Sequence, residues 1–176
     1  MPSDARTAFE QTVLPHLDAA YTLARYLLRD EDDARDAVQD AYLRALKYFG
    51  GFRGADGRAW LLAIVRNTCH TRHQQSRTAP RTAPFDEEIH TPEDEGDSMV
   101  SAEAERIPVE SVRKAVERLP LEFREVVILR EVHGYSYKEI AQVVAVPVGT
   151  VMSRLARARQ RLRDALAPDA RRGTSI

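Results

Sequence analysis

The sequence predicts an all-α protein made of two small helical domains joined by a flexible acidic linker, with a helix-turn-helix in the C-terminal domain. In both halves of the chain, apolar residues recur at spacings of three and four, as they do on one face of a helix. No segment sustains the apolar–polar alternation of a strand. The stretch 78–108 is acidic and offers little to bury, so we place it as the linker between domains at 1–77 and 109–168, with a tail at 169–176.

Size and composition agree with this fold class and exclude several others. A chain of 176 residues, 43% of them hydrophobic, is long enough for one domain or two small ones and can bury a core. No apolar run approaches the roughly 18 residues that a membrane span needs, and the N-terminus lacks the pattern of a secretory signal. The single cysteine, Cys69, excludes an internal disulfide framework. We therefore expect a cytoplasmic protein.

Apolar spacing predicts three helices in the first domain. The first presents one apolar face, formed by Leu14, Leu17, Tyr21, Ala24 and Leu28. The second runs from about residue 33 to 49, after acidic residues suited to a helix start, and buries a stripe of Ala34, Ala37, Val38, Ala41, Ala45 and Tyr48. A glycine-rich loop at 50–57 separates it from a third helix at about 58–75, which carries Trp60, Leu61, Ile64 and Val65.

The second domain is predicted to contain four helices. An amphipathic helix at 109–119 is followed by one that opens near Pro120 and stops at His133-Gly134, since glycine is a helix-stop signal. Ser136 and Glu139 have the spacing of a capping box, which predicts that a short helix starts there and runs to Val144. The segment 145–147 breaks this helix, and a longer one runs from about 148 to 166.

The last two of these helices have the spacing of a helix-turn-helix, the unit that places its second helix in the major groove of DNA. Inward-facing positions on the long helix are predicted at Val151, Leu155, Ala158 and Leu162. A separate stripe is basic, and arginine can grip guanine through two hydrogen bonds. The alternative is a solvated surface helix. Our candidates for DNA contact are Lys138, Thr150, Ser153, Arg154, Arg157 and Arg161.

Charge is segregated along the chain although the total is only −1. The linker region is strongly acidic, and the C-terminal region is basic. Two stretches, 57–85 and 147–163, contain arginines and no acidic residue. Each is a candidate footprint for a polyanion, against the alternative that it is an ordinary solvated helix face.

Two sets of motifs resemble bacterial sigma factors. The segment 135–166 closely resembles the fourth conserved region of that family, and 119–126 is similar to the helix that precedes it there. In the first domain, 33–45 resembles the helix that binds core RNA polymerase, whereas 58–61 and 66–67 resemble the promoter-melting region. Two matching domains joined by a linker point to the minimal, extracytoplasmic-function (ECF) group.

The resemblance implies a protein that is not an enzyme, needs no cofactor or metal, and directs core RNA polymerase to promoters. Its partners would be core RNA polymerase, promoter DNA and an anti-sigma factor. The C-terminal domain would recognise the −35 element and the N-terminal domain would melt the −10 element. The implied polymerase-binding residues are Asp36, Gln39, Asp40, Leu43, Arg44 and Lys47. The implied −10 and melting residues are Phe52, Arg53, Asp56, Trp60, Arg66, Asn67 and Arg72, although Trp60 also suits a core position.

Two positions depart from the family pattern. Ala145 stands where family members usually carry glycine. If the backbone there is left-handed, alanine would lower the stability by roughly 1 kcal/mol relative to glycine. Thr71 stands where many relatives carry an acidic residue, and the run after it is less basic than usual. This second departure leaves the −10 preference open.

Two other functions fit part of the sequence. A helix-turn-helix regulator that dimerises on a palindrome would explain the C-terminal domain but would leave the 36–44 helix unused. A metal or catalytic site could be built from Cys69, His70 and His73, because Cys69 and His73 are one helical turn apart. Three ligands leave zinc one short of four, and a nucleophile needs a base and an orienting group.

Overall fold

The computed structural model describes residues 3–76 and 107–167, and every regular element in that part of the chain is helical. The all-α prediction is therefore confirmed. Nearly all of the predicted linker, and the predicted tail at 169–176, lie outside the described residues. The two described ranges contain eight α-helices: α1 Ser3–Val13, α2 Leu17–Leu28, α3 Glu31–Tyr48, α4 Gly57–Ser76, α5 Val109–Glu117, α6 Leu121–Val127, α7 Tyr137–Val144 and α8 Val148–Leu166.

Helices α1 to α4 form the N-terminal lobe. The predicted first helix is α2, and α1 was missed by the sequence prediction although its Phe9 and Val13 are fully buried. A short 3₁₀ turn at Leu14–His16 separates the two helices. This turn rotates Leu14 away from the core and leaves it 46% exposed, so its predicted place on the buried face of α2 was wrong.

Helix α3 packs against α2 and α4 through an inward face made of alanines. Ala34, Ala37, Ala41 and Ala45 are fully buried, and such small side chains let α2 and α4 approach closely. Asp30 caps the helix by accepting hydrogen bonds from the backbone N–H groups of Asp32 and Asp33. The predicted burial of Tyr48 was wrong, since it is 60% exposed. The helix ends at Tyr48, and Phe49 in the following 3₁₀ turn packs inward against Phe9 instead.

Helices α5 to α8 form the C-terminal lobe. Helix α6 continues into a π-helical turn at Ile128–Val132, which ends at Gly134 with a φ of +72°. The predicted capping box at the start of α7 is confirmed, because Glu139 N–H donates to Ser136 Oγ and Ser136 N–H donates to the Glu139 carboxylate. Helices α7 and α8 meet at 101°. This is the predicted helix-turn-helix.

Residue Ala145, at the end of α7, adopts the left-handed conformation that the sequence placed in question, with φ 56° and ψ 47°. Its Cβ makes this backbone costly, so we expect Ala145→Gly to raise the free energy of unfolding by about 1 kcal/mol. Thermal or denaturant unfolding of the full chain measures the change. The control is Ala156→Gly in the exposed middle of α8, which is expected to lower stability by roughly 0.5–1 kcal/mol. Destabilisation by both substitutions would contradict the prediction.

The two lobes pack against each other. Helices α2 and α4 of the N-terminal lobe contact α6, the π-helical turn and α7 of the C-terminal lobe. None of the helices in the described ranges has by itself the length and apolar composition of a membrane span. Only when α7 and α8 are taken together, across their bend, do length and composition reach those of a span.

Candidate nucleic-acid and polymerase interfaces

Helix α8 has one buried face and one outer face, as a recognition helix requires. Val151, Leu155 and Ala158 are buried against the lobe, as predicted. The outer face includes Met152, which is 53% exposed and was missed by the sequence prediction. Its position next to the inward-facing Val151 was the signal that could have placed it outward. An exposed apolar side chain on this helix is suited to contact the methyl group of thymine.

The predicted −35 residues lie in different environments on the C-terminal lobe. Lys138 is exposed, and the Ser153 hydroxyl donates to the carbonyl oxygen of Thr150 at 3.0 Å. Arg154 is largely buried and forms an ion pair with Glu125 at 3.4 Å. Arg157 is half-buried, and the exposed Arg161 lies over the ring of Phe123. Within the N-terminal half of α8, the side chains nearest solvent are therefore Val148, Met152 and Ala156.

The predicted polymerase-binding residues share the outer face of α3. Leu43 is 55% exposed among charged and polar side chains, so its apolar surface is available to a partner. Asp36, Gln39, Arg44 and Lys47 are exposed around it. Asp40 accepts a hydrogen bond of 2.6 Å from Arg72 on α4, so the α3 outer face is tied to a residue predicted to contact DNA.

Aromatic rings cluster at the loop before α4. The ring centroids of Phe52 and Trp60 are 4.7 Å apart, and Phe49 stacks on Phe52 at 6.0 Å. Phe52 and Trp60 are both half-buried, so each ring keeps an accessible part. Neighbouring predicted residues shape the loop. Arg53 donates to the Gly50 and Phe52 carbonyl oxygens, and Asp56 caps α4 by accepting from the Ala59 N–H at 3.0 Å.

The remaining predicted −10 residues lie along α4. Asn67 is exposed and accepts a hydrogen bond of 3.2 Å from Arg66. Arg66 itself points to the other lobe, where its Nε and Nη2 donate to the two carboxylate oxygens of Glu125 at 2.8 and 3.1 Å. This contact between lobes was not foreseen from the sequence.

Glu125 is completely buried and is contacted by two arginines and a histidine. His70 on α4 lies 2.6 Å from its Oε2, in addition to Arg66 from the same helix and Arg154 from α8. Burial raises the pKa of the Glu125 carboxyl, but the hydrogen bonds from His70 and Arg66 outweigh that effect and hold the pKa below its usual range. The carboxylate is therefore charged at neutral pH.

The residues of the metal or catalytic alternative do not form a site. Among residues 3–76 and 107–167, no group of three or more histidine, cysteine and acidic side chains is placed to hold a metal ion. Cys69 is fully buried, and burial raises the pKa of its thiol to about 12, which makes it a poor nucleophile. The imidazole of His70 forms a hydrogen bond with the carboxylate of Glu125.

Comparison with known proteins agrees with the two-lobe geometry. Residues 12–78 match the family model of sigma-70 region 2, and residues 109–162 match that of sigma-70 region 4. The chain is 39% identical over 158 residues to the ECF RNA polymerase sigma factor SigM of Mycobacterium tuberculosis, an alignment that covers 89% of this chain and 76% of that protein. It is 32% identical over 171 residues to the RNA polymerase sigma-H factor of Pseudomonas aeruginosa, covering 93% of this chain and 88% of that protein.

A solved structure is also similar over both lobes. The Bartonella quintana sigma factor RpoE, crystallised with the anti-sigma factor NepR, is 28% identical with a TM-score of 0.69, and the match covers 92% of this chain and 98% of that one. The identities, the two family models and the helix-turn-helix agree. The chain therefore belongs to the extracytoplasmic-function group of the sigma-70 family of RNA polymerase sigma factors.

Proposed function

We propose that this chain performs its sigma-factor function through three separate surfaces. The α3 outer face binds core RNA polymerase, the loop at 50–57 with α4 engages the −10 element, and α8 enters the major groove at the −35 element. In this assignment, residues 1–77 and 109–168 are the two working domains. The chain acts by binding and positioning, not by catalysis, and works in the cytoplasm, where RNA polymerase and its promoters are located.

The observation that carries the proposal is Leu43. It is 55% exposed on a helix whose opposite face is fully buried, so more than half of its apolar surface is left for a partner to cover. A regulator that binds DNA alone has no use for such an anchor in the other lobe. The polymerase assignment accounts for Leu43 and for the charged residues around it, which would set the register of a partner helix.

The −10 assignment is supported by the aromatic cluster and by an exposed amide on α4. Exposed parts of Phe52 and Trp60 can stack on unpaired bases, which is worth roughly 1–3 kcal/mol per base. Asn67, exposed on α4, can reach a base edge or the sugar-phosphate backbone. An anti-sigma factor is a further proposed partner, because the similar RpoE structure contains one.

In-vitro transcription with purified core polymerase on a genomic promoter library tests the proposed function. We expect start sites that appear only when this chain is added and that share −35 and −10 elements. The control reaction contains core polymerase without the chain. Transcription that does not depend on the chain, together with a stable dimer of the chain on a palindromic site, would instead support the helix-turn-helix regulator.

A further inference from the structure

A cleft lined by basic side chains opens where the C-terminal ends of α2 and α5 meet α4, α6 and α8. Its volume is about 530 Å³, within the range of roughly 300–1,000 Å³ that is typical of small-molecule sites in proteins. We call it the basic cleft. Its guanidinium and imidazole groups come from five helices or their ends: Arg29, His70, His73, Arg118, Arg124 and Arg161.

The positive charge of the basic cleft is not balanced by its own lining. Among the residues that line it, Glu122 carries the one carboxylate. Arg29, Arg118 and Arg161 are exposed, and none of the ion pairs formed within the described ranges includes them. Arginines from separate helices that face one cleft without carboxylate partners create a potential that attracts anions.

Arg124 is a buried member of the basic cleft, at 1% exposure. Its Nη1 donates to the carbonyl oxygens of Tyr26 and Leu27 at 3.2 and 2.9 Å, and its Nη2 donates to those of Glu117 and Leu119 at 3.0 and 2.8 Å. These carbonyl groups lie at the ends of α2 and α5, where helices leave acceptors unpaired. Because Arg124 satisfies them, the exposed arginines at the same two helix ends remain available to a ligand.

The guanidinium of Arg124 still lacks both a counter-charge and one acceptor. The four carbonyl groups that it contacts are uncharged, and its buried Nε has no hydrogen-bond partner in the part of the chain that the structure describes. Burial, and secondly the nearby Arg29, lower the pKa of Arg124, which shows that its charged form is destabilised here. A bound anion would stabilise that charged form. The basic cleft therefore has a buried cation, and not only exposed ones, that favours an anionic ligand.

We propose that the basic cleft binds a small polyphosphate, either a free inorganic chain or the triphosphate group of a nucleotide. Guanidinium groups bind phosphate through paired, charge-assisted hydrogen bonds, and arginines from several helices can divide among successive phosphate groups. Pro120 and Leu121 add an apolar wall beside them. A DNA duplex needs a wide surface, roughly 600 Å² or more of protein even for a single module, whereas these arginines converge on one cleft. The inference goes beyond the proposed function and does not depend on it.

Isothermal titration calorimetry of the full chain with inorganic tripolyphosphate in 0.15 M salt tests the basic cleft. Charges more than about 8 Å apart are largely screened under these conditions, so scattered surface arginines contribute little. We expect one ligand per chain and an affinity that Arg118→Gln lowers about tenfold or more, because a hydrogen bond between charged groups is lost. The matched control is Lys114→Gln, which removes the same charge from an exposed position of α5 that does not line the cleft.

A second pair of variants repeats the comparison on another helix. Arg161→Gln should weaken tripolyphosphate binding, whereas Arg163→Gln, two residues further along α8 and outside the lining, should not. No binding by the unchanged protein would overturn the proposal. Equal effects of the cleft variants and their controls would also overturn it, because the attraction would then follow the net charge alone.

Other ligands identify the chemistry that the basic cleft recognises. Sulfate at the same ionic strength should bind at least about tenfold more weakly than tripolyphosphate, since it offers a single anionic group, and equal affinities would contradict a polyphosphate site. Tighter binding of ATP than of tripolyphosphate would assign the cleft to nucleotides, whereas equal affinities would assign it to the phosphate chain itself. A DNA duplex of random sequence that displaces tripolyphosphate and depends equally on Arg118 would make the cleft a nucleic-acid site and overturn the proposal.

Discussion

Replacement of Leu43 by aspartate is expected to abolish most binding of core RNA polymerase while the chain stays folded. A leucine fully covered by a partner contributes roughly 1.5–3 kcal/mol, or about 10- to 150-fold in affinity, and a buried unpaired carboxylate adds a further cost. Because Leu43 is 55% exposed in the free chain, the substitution buries no charge within the lobe. The dissociation constant for purified core polymerase measures the effect, and thermal unfolding checks the fold.

The matched control is Leu14→Asp. Leu14 is similarly exposed, at 46%, but lies in the 3₁₀ turn between α1 and α2 and not on the α3 outer face. Its substitution introduces the same charge into the same lobe and should leave polymerase binding unchanged. If Leu43→Asp and Leu14→Asp weaken binding equally, the loss reflects the added charge and not the loss of an anchor. In that case the assignment of the α3 outer face to polymerase is wrong.

Helix positions in this protein follow from local signals and could therefore be predicted. The capping box of Ser136 and Glu139 acts over three residues, and it places the start of α7 correctly. The inward stripe of α8 depends on the helical period alone, and Val151 and Leu155 are buried as predicted. Errors arose where the period was interrupted. The turn at Leu14–His16 interrupts the start of the first predicted helix, and α1, which was missed, carries too few apolar residues to show a clear face.

The contacts between lobes could not be predicted. Arg66 and Glu125 are far apart in the sequence, and nothing local distinguishes a buried carboxylate from a solvated one. Arg124 was assigned no role, although it is among the largest fully buried side chains. Burial and the proximity of Arg29 lower the pKa of Arg124 to about 10, yet it remains charged at neutral pH. Its five-donor guanidinium suits it to satisfy carbonyl groups from two lobes at once.

The second large effect is expected at the recognition helix. Arg157→Ala should weaken binding of the polymerase–sigma complex to its cognate −35 element by about 1–3 kcal/mol, or roughly 5- to 150-fold, and should relax the preference at one base pair. Arg154→Ala is a less clear test, because it also removes a partner of the buried Glu125. Arg157 lies one turn further along α8, within reach of the groove from a helix docked by its N-terminal half.

Arg163→Ala is the control for Arg157→Ala. Arg163 lies in the last turn of the same helix and is exposed, so its removal changes the net charge equally. Beyond the groove, Arg163 can contribute only to phosphate attraction. Its removal should therefore lower affinity by the same factor for every DNA sequence. Titrations with the cognate promoter and with single-base −35 variants separate the two effects. If both substitutions reduce affinity without changing base preference, Arg157 contacts the DNA backbone alone. Sequence recognition by α8 must then come from its exposed apolar positions, Met152 first among them.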